Sequence, residues 1–290
     1  MAASSSLCEG LRAKAPLDKP KIIPFDEEKA PWRSAVAVIL RISATGQTEV
    51  LMMRRTEQKN DPFSGDVCLP GGRQDPEDGV QGKEATDKVT AVREAMEEVG
   101  LDVENAQDFE YLGRLSDTRV SKRMIMCAFV FLLKPGRETP PLKLQEAEVQ
   151  CAWWLSLEVL VQIEMTKLRK HYSRFIRKGP TVSLFGRSMA FLCMCDQVYF
   201  RSYLLPLPAG VDEKEQEKFV LWGFTLDVLS ELIEHARGTN LVGMWPDGTP
   251  VVSAWDFWYT NDLYRIATGK KPRPKKRLRY QPKNKVVPLG

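Results

Sequence analysis

The segment Arg93 to Leu101 holds three glutamates within five residues and follows the double glycine Gly71-Gly72. On a helix that turns by about 100° per residue, Glu94 and Glu98 lie about 40° apart, with Glu97 about 60° to the other side. Carboxylates crowded on one face repel one another, which raises their pKa values unless a cation neutralises them. Because every donor is an oxygen and no cysteine or histidine is near, the cluster predicts a Mg²⁺ or Mn²⁺ site.

The same residues also allow a solvated helix, in which Arg93 pairs with Glu97 one turn later and water tolerates the other charges. The larger apolar residues lie on the opposite side of the wheel. We therefore expect the apolar side to pack into a core and the glutamates to face away from it. We expect the helix to start between Lys83 and Asp87 and to stop at Gly100 in a left-handed conformation. The apolar side consists of Val89, Val92, Met96 and Val99.

The order of these residues resembles the signature of the Nudix hydrolase family: Gly, five residues, Glu, seven residues, Arg-Glu, an apolar residue, any residue, Glu-Glu, any residue, Gly, an apolar residue. Gly72 anchors the first half, but twenty residues separate it from Arg93, more than the pattern has. The extra residues predict a polar loop within 78–83. They leave the partner of Arg93 open between Asp78 and Glu84. The second half matches at Arg93, Glu94, Ala95, Glu97, Glu98, Gly100 and Leu101.

The resemblance implies a Nudix fold, an α/β (α+β) architecture with a mixed β-sheet sandwiched between helices, here with a C-terminal extension. It also implies metal-assisted hydrolysis of a diphosphate. By position in the signature, Glu94 and Glu98 are implied metal ligands, and Glu97 is a ligand or the general base. The Gly72 carbonyl is a further implied ligand, and Arg93 is implied to orient the glutamates through a salt bridge.

Two other segments resemble the coenzyme A diphosphatase branch of the family: residues 51–72 and the helix that starts at Trp222-Gly223-Phe224-Thr225. The match is incomplete, since Asn60 stands where that branch has arginine and Leu69 where it has phenylalanine. The favoured substrate is therefore coenzyme A or one of its esters. Nucleoside triphosphates, dinucleoside polyphosphates and capped RNA are the alternatives. An alternative of another class is a nucleic-acid-associated binding module.

Arg54 and Arg55 are neighbours on a predicted strand, so at most one of them faces a cleft. Arg55 is the candidate for binding a substrate phosphate, and Arg119, in the loop after a later strand, is a second. Glu146 and Glu148 are candidates for an additional metal-binding or base carboxylate, although an ordinary surface position is the favoured interpretation for each.

The elements that must position these residues follow a mixed α and β pattern. Region 162–208 is predicted to be a basic insertion, a helix or loop followed by strands at 189–195 and 198–205. Helices are predicted at 221–232 and, as a last packed element, at 255–266. Six apolar runs predict strands at residues 35–40, 50–53, 67–69, 111–115, 124–133 and 148–157.

The 290 residues exceed a minimal domain of this family. We predict a flexible arm over residues 1–31, the Nudix domain over 32–269 and a basic tail over 270–290. The tail carries nine lysines and arginines and no acidic residue. Such a run suits RNA binding, a nuclear address or a plain solvated tail.

Six cysteines without a Cys-x-x-Cys pair predict a reducing, intracellular setting, with the cytoplasm favoured and mitochondria or the nucleus left open. No segment reaches the length of a membrane span, so we expect no membrane partner. The expected partner is a small nucleotide diphosphate substrate, and the resemblance adds the possibility of a homodimer.

Overall fold

The computed structural model describes residues 7–15, 17, 20–25, 32–59, 63–80, 83–121, 124–162, 165–171 and 197–238. The predicted strand at 189–195, the predicted helix at 255–266 and the basic tail at 270–290 lie outside these residues. The described residues form two β-sheets and four α-helices.

The main sheet is built around β1 (Trp32–Ile42), which pairs in parallel with β7 (Met124–Leu133). Both strands are apolar along nearly their whole length, as strands buried on two faces must be. The sheet also contains β2 (Thr48–Arg55), β3 (Val67–Cys68), β4 (Gly71–Arg73), β5 (Phe109–Arg114), β6 (Thr118–Ser121) and β8 (Val149–Ser156).

The order across this sheet is β3-β2-β1-β7-β5, with β4 paired to β1, β6 to β7 and β8 to β2. All of these pairings except β1 with β7 are antiparallel. The sheet is therefore mixed, as predicted, and the six predicted strands of its part of the chain are confirmed with small shifts of their ends.

Helices cover both faces of the main sheet. These are α1 (Leu7–Arg12), α2 (Glu84–Val99), α3 (Leu157–Gln162) and α4 (Gly223–Arg237). Ala35, Ala37 and Ile39 of β1 belong to the core under α2, whereas the alternate residues of the strand join the core under α1 and α4. Because successive side chains of the strand point to opposite faces of the sheet, β1 contributes to one core on each face. This confirms the predicted sheet sandwiched between helices.

A second, antiparallel sheet consists of β9 (Met165–His171), β10 (Gln197–Leu204) and β11 (Val220–Trp222). The sequence placed a helix or loop where β9 lies, and that prediction is wrong. The predicted helix at 221–232 begins later, at Gly223, because residues 220–222 pair with β10. Gly223 takes a positive φ of 62°, which turns the chain out of the strand.

Part of the predicted N-terminal arm is packed. Leu7, Cys8 and Leu11 of α1 are buried, and a Cβ on Gly10 would come within 2.5 Å of the Ala236 carbonyl oxygen of α4. Leu17 donates its backbone N–H to Leu112 of β5 at 3.0 Å. Leu11 lies about one helical turn after Leu7 and Cys8, a signal that the polar character of the surrounding segment hides.

Among the described residues, no helix combines the length and the apolar content that a membrane crossing requires.

Candidate active site

The helix α2 has the predicted ends but is rotated about its axis, so that a different side is buried. It starts at Glu84 and ends at Gly100, which has the left-handed φ of 73°. The expectation that its larger apolar side packs into the core is wrong for Val89, which is 42% exposed, and for Met96, which is 51% exposed. Of that side only Val99 is fully buried and Val92 partly, whereas Glu98 is only 1% exposed. The buried side is lined by small residues and by polar side chains with partners, so α2 can approach the sheet closely. That side comprises Thr86, Asp87, Thr90, Ala91, Glu94, Ala95, Glu98 and Val99.

The double glycine forms β4 directly beneath the two buried glutamates. Gly71 donates its backbone N–H to Glu98 Oε2 at 2.7 Å. A Cβ built on Gly72 would lie 2.3 Å from Glu94 Oε1, so the carboxylate occupies the space that any side chain there would need. Gly71 itself has a φ of 154°, and a Cβ on it would meet the Ala35 carbonyl oxygen at 2.4 Å. The two glycines thus permit two different close approaches, one to α2 and one to β1.

Arg93 pairs with Asp78, which decides between the two partners left open by the sequence. Arg93 Nε donates to Asp78 Oδ1 at 2.8 Å and Nη2 to Asp78 Oδ2 at 3.1 Å. Thr90 Oγ1 donates to the same carboxylate at 2.8 Å. Glu84 lies instead 3.8 Å from Arg114 Nη1. The extra residues of the signature therefore fall after Asp78, between the short 3₁₀ turn Pro76–Asp78 and α2.

Arg93 also orients two of the three signature glutamates. Its Nη2 lies 3.0 Å from Glu94 Oε1, and its Nη1 donates to Glu97 Oε2 at 2.8 Å. Glu97 is the most exposed of the three, with 52% of its side chain accessible. The structure thus brings Glu94 and Glu98 together over the glycines and turns Glu97 toward the arginine. No three acidic, histidine or cysteine side chains in the described ranges are gathered as a metal cage.

Burial and charge raise the pKa values of both buried glutamates. The pKa of Glu98 is raised to about 8, chiefly by burial and also by the charges of Glu94 and Glu148, while the Gly71 hydrogen bond and the Arg55 charge act in the opposite direction. Burial likewise raises the pKa of Glu94, against the attraction of Arg93. The raised pKa values mean that the positive charge near Glu94 and Glu98 does not compensate for their burial and mutual repulsion.

The donor set and its surroundings fit a hard divalent cation. Glu94 and Glu98 bring carboxylate oxygens to the two adjacent glycines, and the absence of a side chain on Gly72 makes room for the Glu94 carboxylate. Oxygen-only donors match Mg²⁺ and Mn²⁺. A bound cation would offset the cost of ionising two buried carboxyls side by side.

The raised pKa of Glu98 predicts that the metal-free protein loses stability as the pH rises from about 4.5, the ordinary value, to about 8. Over that range the unfolded chain releases the proton and the folded chain still holds it, so ionisation favours unfolding. Adding Mg²⁺ should reverse the loss at the upper end, because the cation binds the ionised form. Thermal unfolding across this pH range, with EDTA or with Mg²⁺, measures both effects. A Glu98→Gln variant whose midpoint falls with pH as steeply as that of the wild type would contradict the assignment.

Asp78→Asn should destabilise the protein by about 3 kcal/mol, since it removes one charge of a largely buried pair and leaves Arg93 poorly compensated. Glu84→Gln, at the position of the rejected partner, should change stability by no more than about 0.5 kcal/mol. Chemical denaturation of the two variants measures the difference. Equal losses would show that the signature arginine depends on both acids.

Of the neighbours Arg54 and Arg55, Arg55 is the one that lies near the buried glutamates. Arg54 is 2% exposed and is held by other partners: its Nη2 donates to Glu57 Oε1 at 2.8 Å, and its Nε donates to the Gly65 carbonyl at 3.2 Å. Arg55 lies close enough to Glu98 to lower its pKa. Arg119 pairs through its backbone with Ile125, and its side chain lies outside what the structure describes.

The loop between residues 142 and 149 adds a carboxylate that the sequence treated as a surface residue. The charge of Glu148 raises the pKa of both Glu94 and Glu98, and its side chain is half-buried. Glu146 is exposed, and its carbonyl accepts a hydrogen bond from Thr56 Oγ1 at 3.1 Å. Gln145 donates its backbone N–H to the Glu98 carbonyl at 3.1 Å, which fixes this loop to the end of α2.

Thr90 and Asp87 share the buried face of α2 with the glutamates and were not predicted from the sequence. They lie one and two helical turns before Glu94, so a row of polar residues on one face is the sequence pattern that could have indicated them. The same pattern is typical of a face exposed to solvent, because the larger apolar residues lie opposite.

Comparison with known proteins points to one family. A family model described as the NUDIX domain matches residues 31–178. The peroxisomal coenzyme A diphosphatase ndx-8 of Caenorhabditis elegans is 32% identical over 143 residues, which cover 49% of this chain and 54% of that protein. An uncharacterized protein of Schizosaccharomyces pombe is 30% identical over 188 residues, 54% of this chain and 53% of its own length. The chain thus spans about half the length of these curated relatives.

A crystal structure of a binary complex of a Caenorhabditis elegans Ap4A hydrolase is 19% identical with a TM-score of 0.33; the match covers 45% of this chain and 84% of that one.

Proposed function

Because the chain belongs to the Nudix family by its match to the NUDIX domain, we propose that it hydrolyses a diphosphate linkage in a nucleotide derivative with Mg²⁺ or Mn²⁺. The observation that carries the proposal is the convergence of Glu94 and Glu98 on the Gly71-Gly72 strand. It brings oxygen donors together at one place, where burial and the neighbouring carboxylates disfavour their ionisation unless a cation binds.

The residues of this chain take different roles in the proposed reaction. Glu94 and Glu98 would hold the cation, and the Gly72 carbonyl would join them. Such a cation would supply Lewis-acid chemistry, stabilising charge on the diphosphate and making the attacking water more acidic. Arg93, braced by Asp78, keeps the Glu94 carboxylate in place and does not touch the substrate. The signature arginine is thus a support for the ligands.

Two carboxylates remain to accept a proton from the attacking water. Glu97 stands at the exposed edge of the site, as a further ligand or as the base, and Glu148 faces the two buried glutamates from the neighbouring loop. Arg55 lies on the same side and would bind a phosphate of the substrate through charge-assisted hydrogen bonds. In this proposal the diphosphate would lie between the cation and the Arg55 side chain.

Coenzyme A and its esters are the favoured substrates. The support is the resemblance of residues 51–72 and 222–225 to that branch, together with the relative named for coenzyme A diphosphatase activity. Nucleoside triphosphates, dinucleoside polyphosphates and capped RNA compete with this choice.

The proposal is tested by incubating the full chain with Mg²⁺ and each of these substrate classes in ¹⁸O-labelled water. Mass spectrometry of the products shows which linkage is cleaved and which phosphorus receives the labelled oxygen. We expect coenzyme A to yield two phosphate-bearing products, and EDTA to abolish the reaction. Cleavage of none of the substrates, with Mg²⁺ or with Mn²⁺, would sink the enzymatic proposal and favour a binding module.

A further inference from the structure

A sealed network of charges surrounds Asp87, seven residues before Glu94 on α2. Arg33 of β1 donates to both Asp87 oxygens at 2.7 Å, and Arg114 of β5 donates to Oδ2 at 3.2 Å. Asp117 accepts from the same two arginines at 3.2 Å and 2.5 Å. All four side chains are at most 6% exposed. Two positive and two negative charges balance there, and the buried Cys127 thiol beside them has a raised pKa and stays neutral.

The apolar packing of α2 does not by itself select the face that is buried. The residues of α2 in the core beneath it are the small Ala91 and Ala95 and, at the end of the helix, the larger Val99. The larger Val89 and Met96 are exposed, and Val92 is only partly buried. By burial of apolar area alone, a helix with this sequence would be more stable turned by about half a turn, with the larger side chains inside.

We propose that Asp87 is a positioning residue that fixes the rotation of α2, and that it holds the two buried glutamates over Gly71-Gly72 against the preference of the apolar side. Asp87 and Glu94 differ by about 20° on the helical wheel, so the direction of one sets the direction of the other. The two parallel hydrogen bonds from Arg33 admit one orientation of the carboxylate. Turning α2 away would leave two buried arginines short of a partner, which outweighs the apolar gain.

The first test measures the rotation directly, without any assumption about the reaction. Peroxide converts methionine to its sulfoxide at a rate that follows exposure. In the wild type, Met96 should oxidise much faster than Met52 and Met53, which are 0% exposed. In Asp87→Asn the oxidation of Met96 should slow by about threefold or more, with Met52 and Met53 still protected. Oxidation of Met96 at the wild-type rate in the folded variant would overturn the proposal.

Asp117→Asn is the matched control, since it removes the other carboxylate of the same network but lies on the connection between β5 and β6. The Met96 rate should stay at the wild-type value there. A fall equal to that of Asp87→Asn would mean that general loosening, and not rotation, explains the effect, and would overturn the proposal.

A second-site variant makes the test specific. In Asp87→Asn/Val89→Gln/Val92→Gln the competing apolar side loses two of its four residues, so Met96 should regain the oxidation rate of Val89→Gln/Val92→Gln alone. Should Asp87→Asn fail to fold, the triple variant carries the test: we expect it to fold with Met96 exposed. If it does not fold while the double variant does, the apolar side is not the competitor and the proposal fails.

The activity test rests on the proposed function. Asp87→Asn should lower kcat by about tenfold or more with little change in KM, since a small displacement of the ligands weakens the chemical step. Asp117→Asn should keep kcat near the wild-type value. An inactive wild type would refute the proposed hydrolysis, and the oxidation rates would still decide the role of Asp87.

Discussion

Glu98→Gln should lower kcat for diphosphate hydrolysis by about 10³-fold, equivalent to about 4 kcal/mol of transition-state stabilisation. The amide keeps the shape of the side chain, and its carbonyl can still accept the hydrogen bond from Gly71. It cannot supply the negative charge that holds a cation. Steady-state kinetics with Mg²⁺ measure the loss, and calorimetric titration with Mn²⁺ should show weaker binding.

The same substitution should stabilise the metal-free protein near pH 8, because a neutral amide avoids the cost of ionising a buried carboxyl whose pKa is about 8. Activity and stability then change in opposite directions, which damage to the fold does not produce. Glu104→Gln is the matched control: Glu104 is exposed and pairs with Lys88 at 3.0 Å, away from the glycines. A Glu98→Gln enzyme within tenfold of the wild-type kcat would remove Glu98 from the site.

Alanine at each of the two adjacent glycines should give opposite outcomes. Gly72→Ala places a Cβ where the Glu94 carboxylate lies, 2.3 Å from its Oε1, so the side chain must move. The backbone of Gly72 has an ordinary φ, and the chain should fold. We expect a loss of about 10² in kcat, the size that misplacement of a ligand by about 1 Å produces.

Gly71→Ala should instead lose about 3 kcal/mol of stability, from a φ of 154° and from a Cβ that meets backbone atoms of Ala35 and Val36, which cannot swing aside. Denaturant unfolding and kinetics of both variants separate the two roles. Gly72→Ala with unchanged kcat, or Gly71→Ala with unchanged stability, would contradict the corresponding assignment.

The sequence allowed the prediction of most of the sheet and of the ends of α2, because those depend on short-range patterns: apolar runs, a left-handed glycine and polar turns. Residues 124–133 were predicted with the bounds that β7 has. The identity of the Arg93 partner was beyond the sequence, since it depends on how the chain after Asp78 folds back to α2.

The rotation of α2 was predicted wrongly for a physical reason. A wheel counts apolar residues and assumes that they decide the buried side. Here Arg33 and Arg114, distant in sequence, lie on the sheet under α2 and make a polar side of the helix the stable one to bury. No local pattern contains that information. The strand β9 was missed because its alternation of basic and other residues equally suits a solvated helix.

Arg93 and Thr90 hold Asp78 at the start of its connection to α2, and the packing of α2 on the sheet fixes the other end. Its length can therefore change while both anchors stay in place, and doubling such a connection costs only about 0.6 kcal/mol in closure entropy. A foreign peptide, such as an epitope or a fluorescent reporter, should be tolerated after Gly79. In this chain the segment between the two halves of the family signature is thus a position where evolution and engineering can add residues next to α2.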